Sequence, residues 1–444
     1  MTFQLPTFSG MPARPLSYHG KKPPPLGSSS DKILLAAQEA LRQARLIESE
    51  TPLQESPYLE GLRGSFHSSF SGSFSPQAPD ERSSEITTMN TPSPAVISMV
   101  ASVQRACRSS PLEVLDRATF LVRDENSLPL AVFKPRDMAR GMVNSLESAA
   151  VVRSKISIQP ALEAANEVIA SEILNLPVSA VMLNLEAIYS PESPQESKEG
   201  VLLRFINAQS LTPEQSSLPF TLPSCQILML TDLLFCNTDR SLGNVLYTPS
   251  THHVFGIDHA CILPEEFVDS AILCWRTWPQ AMTPFSTEFK ELIRGLNFER
   301  DCEKVLTTFP AYSIQSLETM KICYYLLQQA SLRDLPPFAI SSLLVAFSSQ
   351  TSSVIKCHYV KAKMIEAGSA EKTPQQVFEN LCGLINQTLD VLMPFNWPQA
   401  QAELAAIANP ADQKVYISRI QASIFEKIGS VRELAPPGHL TLML

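Results

Sequence analysis

The stretch between residues 237 and 259 constrains the fold more than any other part of the chain. Asp239 and Asn244 stand five residues apart, directly before a short apolar run. Turn-forming residues interrupt that run, and a second apolar run ends at Asp258. This pattern predicts a β-hairpin, so Asp258 is expected to return beside Asn244. Two oxygen ligands held side by side suit a Mg²⁺ ion, whereas the simpler interpretation of Asp258 is a cap at the end of a strand.

The spacing of Asp239 and Asn244 also has a chemical interpretation. An aspartate followed five residues later by an asparagine, just before a strand, is the D-x-x-x-x-N arrangement of kinase catalytic loops. Asp239 would orient the attacking hydroxyl and accept its proton, and Asn244 would bind a metal ion. The alternative is an ordinary polar turn between a helix and a strand, for which Asn, Asp, Ser and Gly are common residues.

A lysine and a glutamate earlier in the chain fit the same chemistry. Lys134 ends a short apolar run, and a lysine buried there needs an anionic partner. A kinase uses such a lysine to hold ATP phosphates, and a helical glutamate fixes it by an ion pair. Glu167 lies on the next predicted helix, with Glu163 and Glu172 as alternatives. Each residue alone also has a simpler explanation, since Lys134 can extend to water and the glutamate can be an exposed helical residue.

The secondary structure expected from the rest of the sequence changes along the chain. Runs of strand length dominate the first part, and helical periodicity dominates after residue 267. The predicted strands cover residues 130–134, 178–189, 201–206, 245–247 and 253–257, and the predicted helices before residue 267 cover 160–176 and 222–235. This order indicates an α+β fold with a strand-rich small lobe and a helical large lobe. Trp275 and Trp278 are expected in the core, with contact to a membrane or a protein substrate as the alternative.

These motifs, in this order, resemble those of one family. They are Val-Phe-Lys134-Pro, Asn-Glu167-Val-Ile-Ala, Asn-Thr-Asp239-Arg240-x-x-x-Asn244 and Ile-Asp258-His. The family is the phosphatidylinositol 3-/4-kinase superfamily. The type II phosphatidylinositol 4-kinases are the most similar members, and actin-fragmin kinase and HipA-like kinases are more distant. The resemblance covers residues 110–265 by motif and the C-terminal half only by its helical character.

The resemblance implies a bilobal protein-kinase-like fold, with the N-lobe over residues 98–207 and the helical C-lobe over residues 208–434. It implies ATP and Mg²⁺ as cofactors and an inositol lipid as the acceptor. By the same resemblance, Lys134 would contact the ATP phosphates, with Glu167 as its ion-pair partner, and Asp239 would be the catalytic base. The resemblance also implies that Arg240 is the family's arginine after the catalytic aspartate and that Asn244 and Asp258 bind the metal. Phe205, Ile206 and Asn207 would form the hinge, which contacts adenine through its backbone.

One segment departs from the family pattern. The phosphate-binding loop of the family is usually rich in glycine and serine, whereas the equivalent residues 109–122 contain no glycine. Backbone amides approach phosphates most easily where no Cβ intrudes. A non-catalytic pseudokinase that serves as an interaction protein is therefore an alternative, although the retained lysine, aspartates and asparagine favour an active enzyme.

The nature of the acceptor is also open at the level of sequence. Glu265, Glu266 and Asp269 place acid where an anionic lipid headgroup would approach. A serine or threonine of a protein is therefore an alternative acceptor to an inositol lipid.

The ends of the chain and its overall composition bear on location and partners. The composition of residues 1–97 predicts a disordered leader with one amphipathic helix over residues 31–48, and residues 435–444 are expected to form a tail.

The net charge of −9 disfavours nucleic-acid binding. The nine cysteines form no C-x-x-C pair, which indicates reduced thiols in a cytoplasmic protein, and no apolar run is long enough to span a bilayer. A serine-rich leader before a compact enzyme also resembles bacterial effectors secreted into host cells.

Overall fold

The structure, a computed structural model, describes most of the chain from residue 94 onward. The described residues are 94–107, 112–116, 119–136, 158, 162–174, 176, 179–189, 195–213, 215, 219–267, 272–345, 353–364 and 373–432. The predicted leader up to residue 93, with its helix over residues 31–48, and the predicted tail lie outside these residues.

The first part of the described chain is built around a five-stranded antiparallel sheet. Its elements are α1 (Pro94–Ala106), β1 (Glu113–Asp116), β2 (Thr119–Arg123), β3 (Pro129–Pro135), α2 (Glu163–Leu174), β4 (Ala180–Ala187) and β5 (Glu196–Arg204). The strands lie in the order β1-β2-β3-β5-β4. This sheet and its two helices form the strand-rich N-lobe that the sequence predicts.

The central strand β3 separates the two faces of this sheet. Successive side chains of a strand point to opposite faces. Ala131 and Phe133 are fully buried in a cluster that includes Val103 of α1. Val132 packs on the other side, against a cluster that contains residues of α2. Lys134 follows Val132 by two residues, so its side chain emerges on the face that carries α2.

The strand β5 begins earlier than the sequence predicts. The sequence predicts a strand over residues 201–206, yet β5 begins at Glu196 and Gly200 lies inside it, paired with Pro135 of β3. A Cβ at Gly200 would come within 2.4 Å of the Lys134 carbonyl oxygen and 2.7 Å of the Phe133 ring. Glycine is therefore required by the close approach of the two strands next to Lys134.

The second part of the described chain is mainly helical. It contains β6 (Gln209–Ser210), α3 (Leu222–Leu234), β7 (Asp239–Arg240), β8 (Val245–Thr248), β9 (His253–Gly256) and β10 (Ile272–Leu273). The helices that follow are α4 (Thr287–Arg294), α5 (Phe298–Thr308), α6 (Ile314–Leu332), α7 (Pro337–Leu344), α8 (Val354–Met364), α9 (Pro374–Leu392), α10 (Trp397–Ala406) and α11 (Pro410–Arg432). Strands β6, β8 and β9 form one small sheet, and β7 and β10 pair in parallel.

The core of this C-lobe surrounds α6, which has buried residues on all its faces. A helix that is buried all round belongs to the interior of a domain. Trp275 and Trp278, on the segment that follows β10, are both completely buried, which confirms the prediction that they belong to the core. Within the described part of the chain, no helix is long and apolar enough to cross a membrane. The predicted α+β bilobal fold is confirmed.

Candidate active site

The hairpin predicted between Asn244 and Asp258 is present as β8 and β9. Val245 pairs with Gly256, and the backbone N–H of Ile257 donates to the Asn244 carbonyl oxygen at 3.0 Å. Asp258 therefore follows the residue that lies opposite Asn244. Its backbone φ is 59°, in the left-handed region that a non-glycine residue rarely adopts. Such strain is often retained at functional sites.

Lys134 links the N-lobe to this hairpin through two ion pairs. Its Nζ lies 2.7 Å from Glu167 Oε1 and 2.9 Å from Asp258 Oδ1. Glu167 is thus the glutamate that reaches Lys134, while Glu172 pairs with Lys304 at 3.2 Å. Three residues that are far apart in the sequence therefore meet at one point.

The electrostatics of this cluster follow from burial and charge. Burial by itself would lower the pKa of Lys134, but the carboxylates of Asp258 and Glu167 outweigh it and raise that pKa. Burial would likewise raise the pKa of Glu167, but Lys134 and His259 lower it instead. The cluster therefore keeps Lys134 as a charged ammonium group and Glu167 as a carboxylate across the neutral pH range.

Glu167 and Asn166 hold helix α2 against the segment after Asp258. The contacts of Asn166, and its bond from Tyr312, were not predicted from the sequence. The second oxygen of Glu167 accepts from the His259 backbone N–H at 3.0 Å. The Asn166 side chain donates to the carbonyl oxygens of Ala260 at 2.7 Å and Ile262 at 3.1 Å, and the Tyr312 hydroxyl donates to its amide oxygen. The position of Glu167 is thus coupled to that of Asp258 by backbone contacts as well as by Lys134.

Both backbone polar groups of Asp239 form hydrogen bonds with side chains. Its N–H donates to Asn237 Oδ1 at 3.0 Å, and its carbonyl oxygen accepts from Asn244 Nδ2 at 2.8 Å. Because the amide nitrogen of Asn244 is used in this bond, its amide oxygen is the atom that can face a cation.

Arg240 has a different environment from that expected of a residue that contacts substrate. Its side chain is completely buried, and its Nε and Nη2 donate to Asp232. Its Nη1 donates to the carbonyl oxygens of Asn244, at 2.9 Å, and Ile257. Burial by itself would lower the pKa of Arg240, but Asp232 raises it. Asp232 was not identified from the sequence, although a single acidic residue in the apolar helix α3 indicates a buried polar contact.

The candidate hinge connects β5 to β6. The backbone N–H of Phe205 donates to Leu130 at 3.2 Å, and the carbonyl oxygen of Ile206 accepts from the Ala208 N–H at 2.9 Å. The side chain of Ile206 is partly buried against the same small cluster as Val132 and Ile257, and Asn207 is exposed. Apolar side chains from the β3 strand, the hinge and the hairpin thus share one surface, the kind of surface that binds a flat aromatic base.

Residues 112–116 and 119–122 of the glycine-free segment belong to a hairpin, whereas residues 109–111 lie outside the described part of the chain. Its strands β1 and β2 close at the pair of Asp116 with Thr119. Because Phe120 pairs with Phe133, the closed end of this hairpin lies at the Lys134 end of β3. The segment is thus on the side of the sheet where phosphates would meet Lys134, and residues 117 and 118 lie outside the described residues.

The oxygen donors at the hairpin fit Mg²⁺. Mg²⁺ in ATP-dependent enzymes is held by one or two protein ligands together with phosphate oxygens. Asp258 and Asn244 supply a carboxylate and an amide oxygen on adjacent backbone positions. In the described part of the chain, no group of three or more His, Cys, Asp or Glu side chains is arranged to hold a metal by itself, so this pair would need the nucleotide to complete the coordination.

The two-lobed fold and this set of side chains resemble those of kinases. Residues 142–340 match the model of the family described as phosphatidylinositol 3- and 4-kinase. The chain is therefore related to the phosphatidylinositol 3-/4-kinase superfamily, as predicted. The matched stretch contains Glu167, Asp239, Asn244 and Asp258 and begins after Lys134. The narrower similarity to type II phosphatidylinositol 4-kinases stays a prediction.

Several curated plant proteins are similar to this chain. Phosphatidylinositol 4-kinase gamma 3 of Arabidopsis thaliana is 27% identical over 204 residues, which cover 45% of this chain and 35% of that protein. Phosphatidylinositol 4-kinase gamma 4 of Oryza sativa subsp. japonica is 28% identical over 181 residues, which cover 40% and 32%. Phosphatidylinositol 4-kinase gamma 7 of Arabidopsis thaliana is 33% identical over 123 residues, which cover 26% and 18%. The chain thus spans about a third of the length of the first two relatives.

Proposed function

We propose that this chain is a kinase that uses ATP and Mg²⁺ to phosphorylate a hydroxyl group, with an inositol lipid as the acceptor. The observation that carries the proposal is the meeting of Lys134, Glu167 and Asp258 beside Asn244 and Asp239. These five residues come from both lobes. The family match and the names of the plant relatives support the same class of reaction.

Each side chain has a role that follows from its position. Lys134 donates to the α- and β-phosphates of ATP, and Glu167 keeps its ammonium group in place. Asp258 and Asn244 hold Mg²⁺, which when bound neutralises charge on the phosphates. Asp239 accepts the proton of the attacking hydroxyl, with its backbone fixed by Asn237 and Asn244. Arg240 acts as a positioning residue, since its guanidinium is buried and donates only to protein groups.

A protein serine or threonine is a second candidate acceptor, because the segment after Asp258 is acidic. Residues 258–275 contain no lysine or arginine. Glu266 is exposed and Glu265 is partly exposed, whereas Asp269 lies outside the described residues. Acid at this place repels an anionic headgroup and attracts a basic peptide.

The transfer of label from radiolabelled ATP distinguishes a lipid acceptor from a protein acceptor. The protein is incubated with Mg²⁺, labelled ATP and either phosphoinositide vesicles or a protein mixture. Label in the lipid extract supports an inositol lipid, and label in a protein band supports a protein hydroxyl. Asp239→Asn is expected to lose nearly all turnover, because general-base positioning contributes about 10²–10⁴-fold. The control Asp334→Asn changes an exposed aspartate of the C-lobe and should keep full turnover.

The alternative of a non-catalytic interaction protein is tested by nucleotide binding. A protein that binds Mg·ATP only when folded is stabilised by it. We expect Mg·ATP to raise the melting temperature of the wild type and of Asp239→Asn alike, because Asp239 acts on the acceptor. A wild-type protein that shows neither stabilisation nor label transfer would contradict the proposed kinase and favour the interaction protein.

We also propose a reducing compartment such as the cytoplasm as the place of activity. All nine cysteines are free thiols, and disulfides are rare where thiols are kept reduced. Mass spectrometry of the native protein with an alkylating reagent checks this, since a disulfide in the freshly isolated protein would contradict it.

A further inference from the structure

Asp232 is a buried carboxylate in α3 that receives hydrogen bonds from three side chains. Asn237 Nδ2 donates to it at 2.8 Å, Arg240 donates through Nε and Nη2 at 2.9–3.1 Å, and Trp275 Nε1 donates at 2.9 Å. All four side chains are at most 2% exposed. A buried carboxylate with this many donors is fully satisfied and holds a single geometry.

Each of the three donors also controls a different part of the candidate active site. Asn237 uses its amide oxygen to accept from the Asp239 N–H. Arg240 uses its third nitrogen to bind the carbonyl oxygens of Asn244 and Ile257, the second of which adjoins Asp258. The Asp232 carboxylate is therefore linked through Asn237 to the proposed base Asp239, and through Arg240 to the backbone of the proposed metal ligands. Because it is buried, it does not contact the substrate itself.

Trp275 brings a third part of the protein to the same carboxylate. It lies two residues after β10, where Ile272 pairs in parallel with Asp239. Trp275 is also part of the stretch after Asp258 that contains Glu265 and Glu266. The indole N–H of Trp275 thus ties the end of this segment to the support of the catalytic loop.

We propose that Asp232 is a positioning residue for phosphoryl transfer and that its bond from Trp275 sets the catalytic loop relative to the segment after Asp258. This inference rests on the proposed kinase function. Proximity effects make rates sensitive to small displacements of a catalytic group. Losing the Trp275 bond lets the loop shift while Lys134, Glu167 and the nucleotide-facing surface remain in place.

The chain offers a matched pair of substitutions that tests this proposal. Trp275→Phe removes the N–H that donates to Asp232 but leaves the carboxylate bound to Arg240 and Asn237. Trp278→Phe is the control, because Trp278 is equally buried and, among the described residues, its indole nitrogen has no hydrogen-bond partner. Both variants lose the same volume from the same segment. A difference between them therefore reports the single hydrogen bond.

We expect Trp275→Phe to lower kcat by about 10- to 100-fold with an unchanged KM for ATP and an unchanged Mg·ATP shift in melting temperature. Trp278→Phe should keep kcat within about twofold of the wild type at a similar melting temperature. Equal kcat values for the two variants, whether both low or both normal, would overturn the positioning role. A wild-type protein without turnover would instead contradict the proposed function itself, and this inference with it.

If Trp275→Phe proves too unstable for kinetics, Asp232→Asn provides the second variant. The amide oxygen can still accept from Arg240, whereas the amide NH2 replaces the oxygen that accepts from Trp275, so this variant loses both the Trp275 bond and the negative charge and is assayed well below its own melting temperature. We expect kcat to fall with KM for ATP unchanged. A rise in KM for ATP at normal kcat would contradict the proposal, because Asp232 would then act on nucleotide binding.

Discussion

The site contains two ionic clusters that differ in almost every physical respect. The Lys134 cluster joins residues that are 33 and 124 positions apart in the sequence. Its Lys134 and Asp258 side chains are 23% and 43% exposed. The Asp232–Arg240 pair joins residues eight positions apart, and both side chains are completely buried.

This difference indicates two different tasks. A partly exposed pair can be separated at small cost, because water replaces the lost contacts. Asp258 would therefore be free to bind a metal ion in place of Lys134, which is the role proposed for it above. A sealed pair cannot be separated without leaving a charge in a medium of low dielectric constant. We therefore expect the Asp232–Arg240 pair to keep one geometry, and Asp258 to be the member of the Lys134 cluster that changes its partner most easily.

The largest effect on stability is expected from Arg240→Met. This change leaves the Asp232 carboxylate buried without its charged partner, which should reduce the free energy of unfolding by about 3–5 kcal/mol. Urea denaturation followed by circular dichroism measures it. The double variant Asp232→Leu with Arg240→Met should lose less than the single variant, because no buried charge remains. A double variant that is less stable than Arg240→Met would show that the pair is not the fixed element we describe.

A smaller loss is expected where the backbone of the hairpin touches Arg240. A Cβ at Gly256 would lie 2.7 Å from Leu228 Cδ1 and 3.2 Å from Arg240 Nη2. Gly256→Ala should therefore lower the free energy of unfolding by about 1–3 kcal/mol through overpacking. Gly243→Ala is the matched control in the same hairpin region, since its nearest heavy atom is Ser241 Oγ at 3.7 Å. Equal losses in the two variants would mean that contact with Arg240 is not the cause.

Lys134→Met is expected to have a small effect on the free energy of unfolding and a large effect on nucleotide binding. Asp258 is exposed enough to be hydrated after the change, and Glu167 keeps its bonds from His259. Because the Glu167 carboxylate is buried but keeps the contacts with His259, we expect a loss of about 1–3 kcal/mol in the free energy of unfolding, together with loss of the Mg·ATP shift in melting temperature. Thermal denaturation with and without Mg·ATP measures both. A loss as large as that of Arg240→Met would remove the distinction between the two clusters.

The two clusters were also unequally predictable from sequence. The Lys134 cluster and the hairpin were found because strand length, turn residues and the spacing of Asp239 and Asn244 are local signals. Asp232 was missed because its role depends on donors from three places along the chain, including the indole of Trp275. Trp275 was correctly predicted to be buried, but burial alone does not show what its N–H bonds to.

Other parts of the fold were mispredicted for similar reasons. The start of β5 was placed too late because the need for Gly200 appears only when β3 lies beside it. Strands β1 and β2, within the segment over residues 109–122, were not among the predicted strands. In each case the deciding contact comes from another strand, which a single sequence does not reveal.

The smallest effect expected is a pH dependence that belongs to the Lys134 cluster. The pKa of Glu167 is lowered from 4.5 in the folded protein, so its stabilising contribution is complete above pH 4.5 and is lost as the pH falls below that value. The pKa of Lys134 is raised from 10.5, so its contribution is complete below pH 10.5 and is lost as the pH rises above it.

Glu167→Gln tests the acid side of this dependence. The free energy of unfolding is measured from neutral pH into the acid range for the wild type and the variant. The wild type should lose stability more steeply below pH 4.5 than Glu167→Gln, because only the wild type must protonate this carboxylate on unfolding. Parallel curves would mean that Glu167 is not held as a carboxylate by Lys134. The ionic cluster that we assign to nucleotide binding would then lose its electrostatic basis, while the Asp232–Arg240 pair would be unaffected.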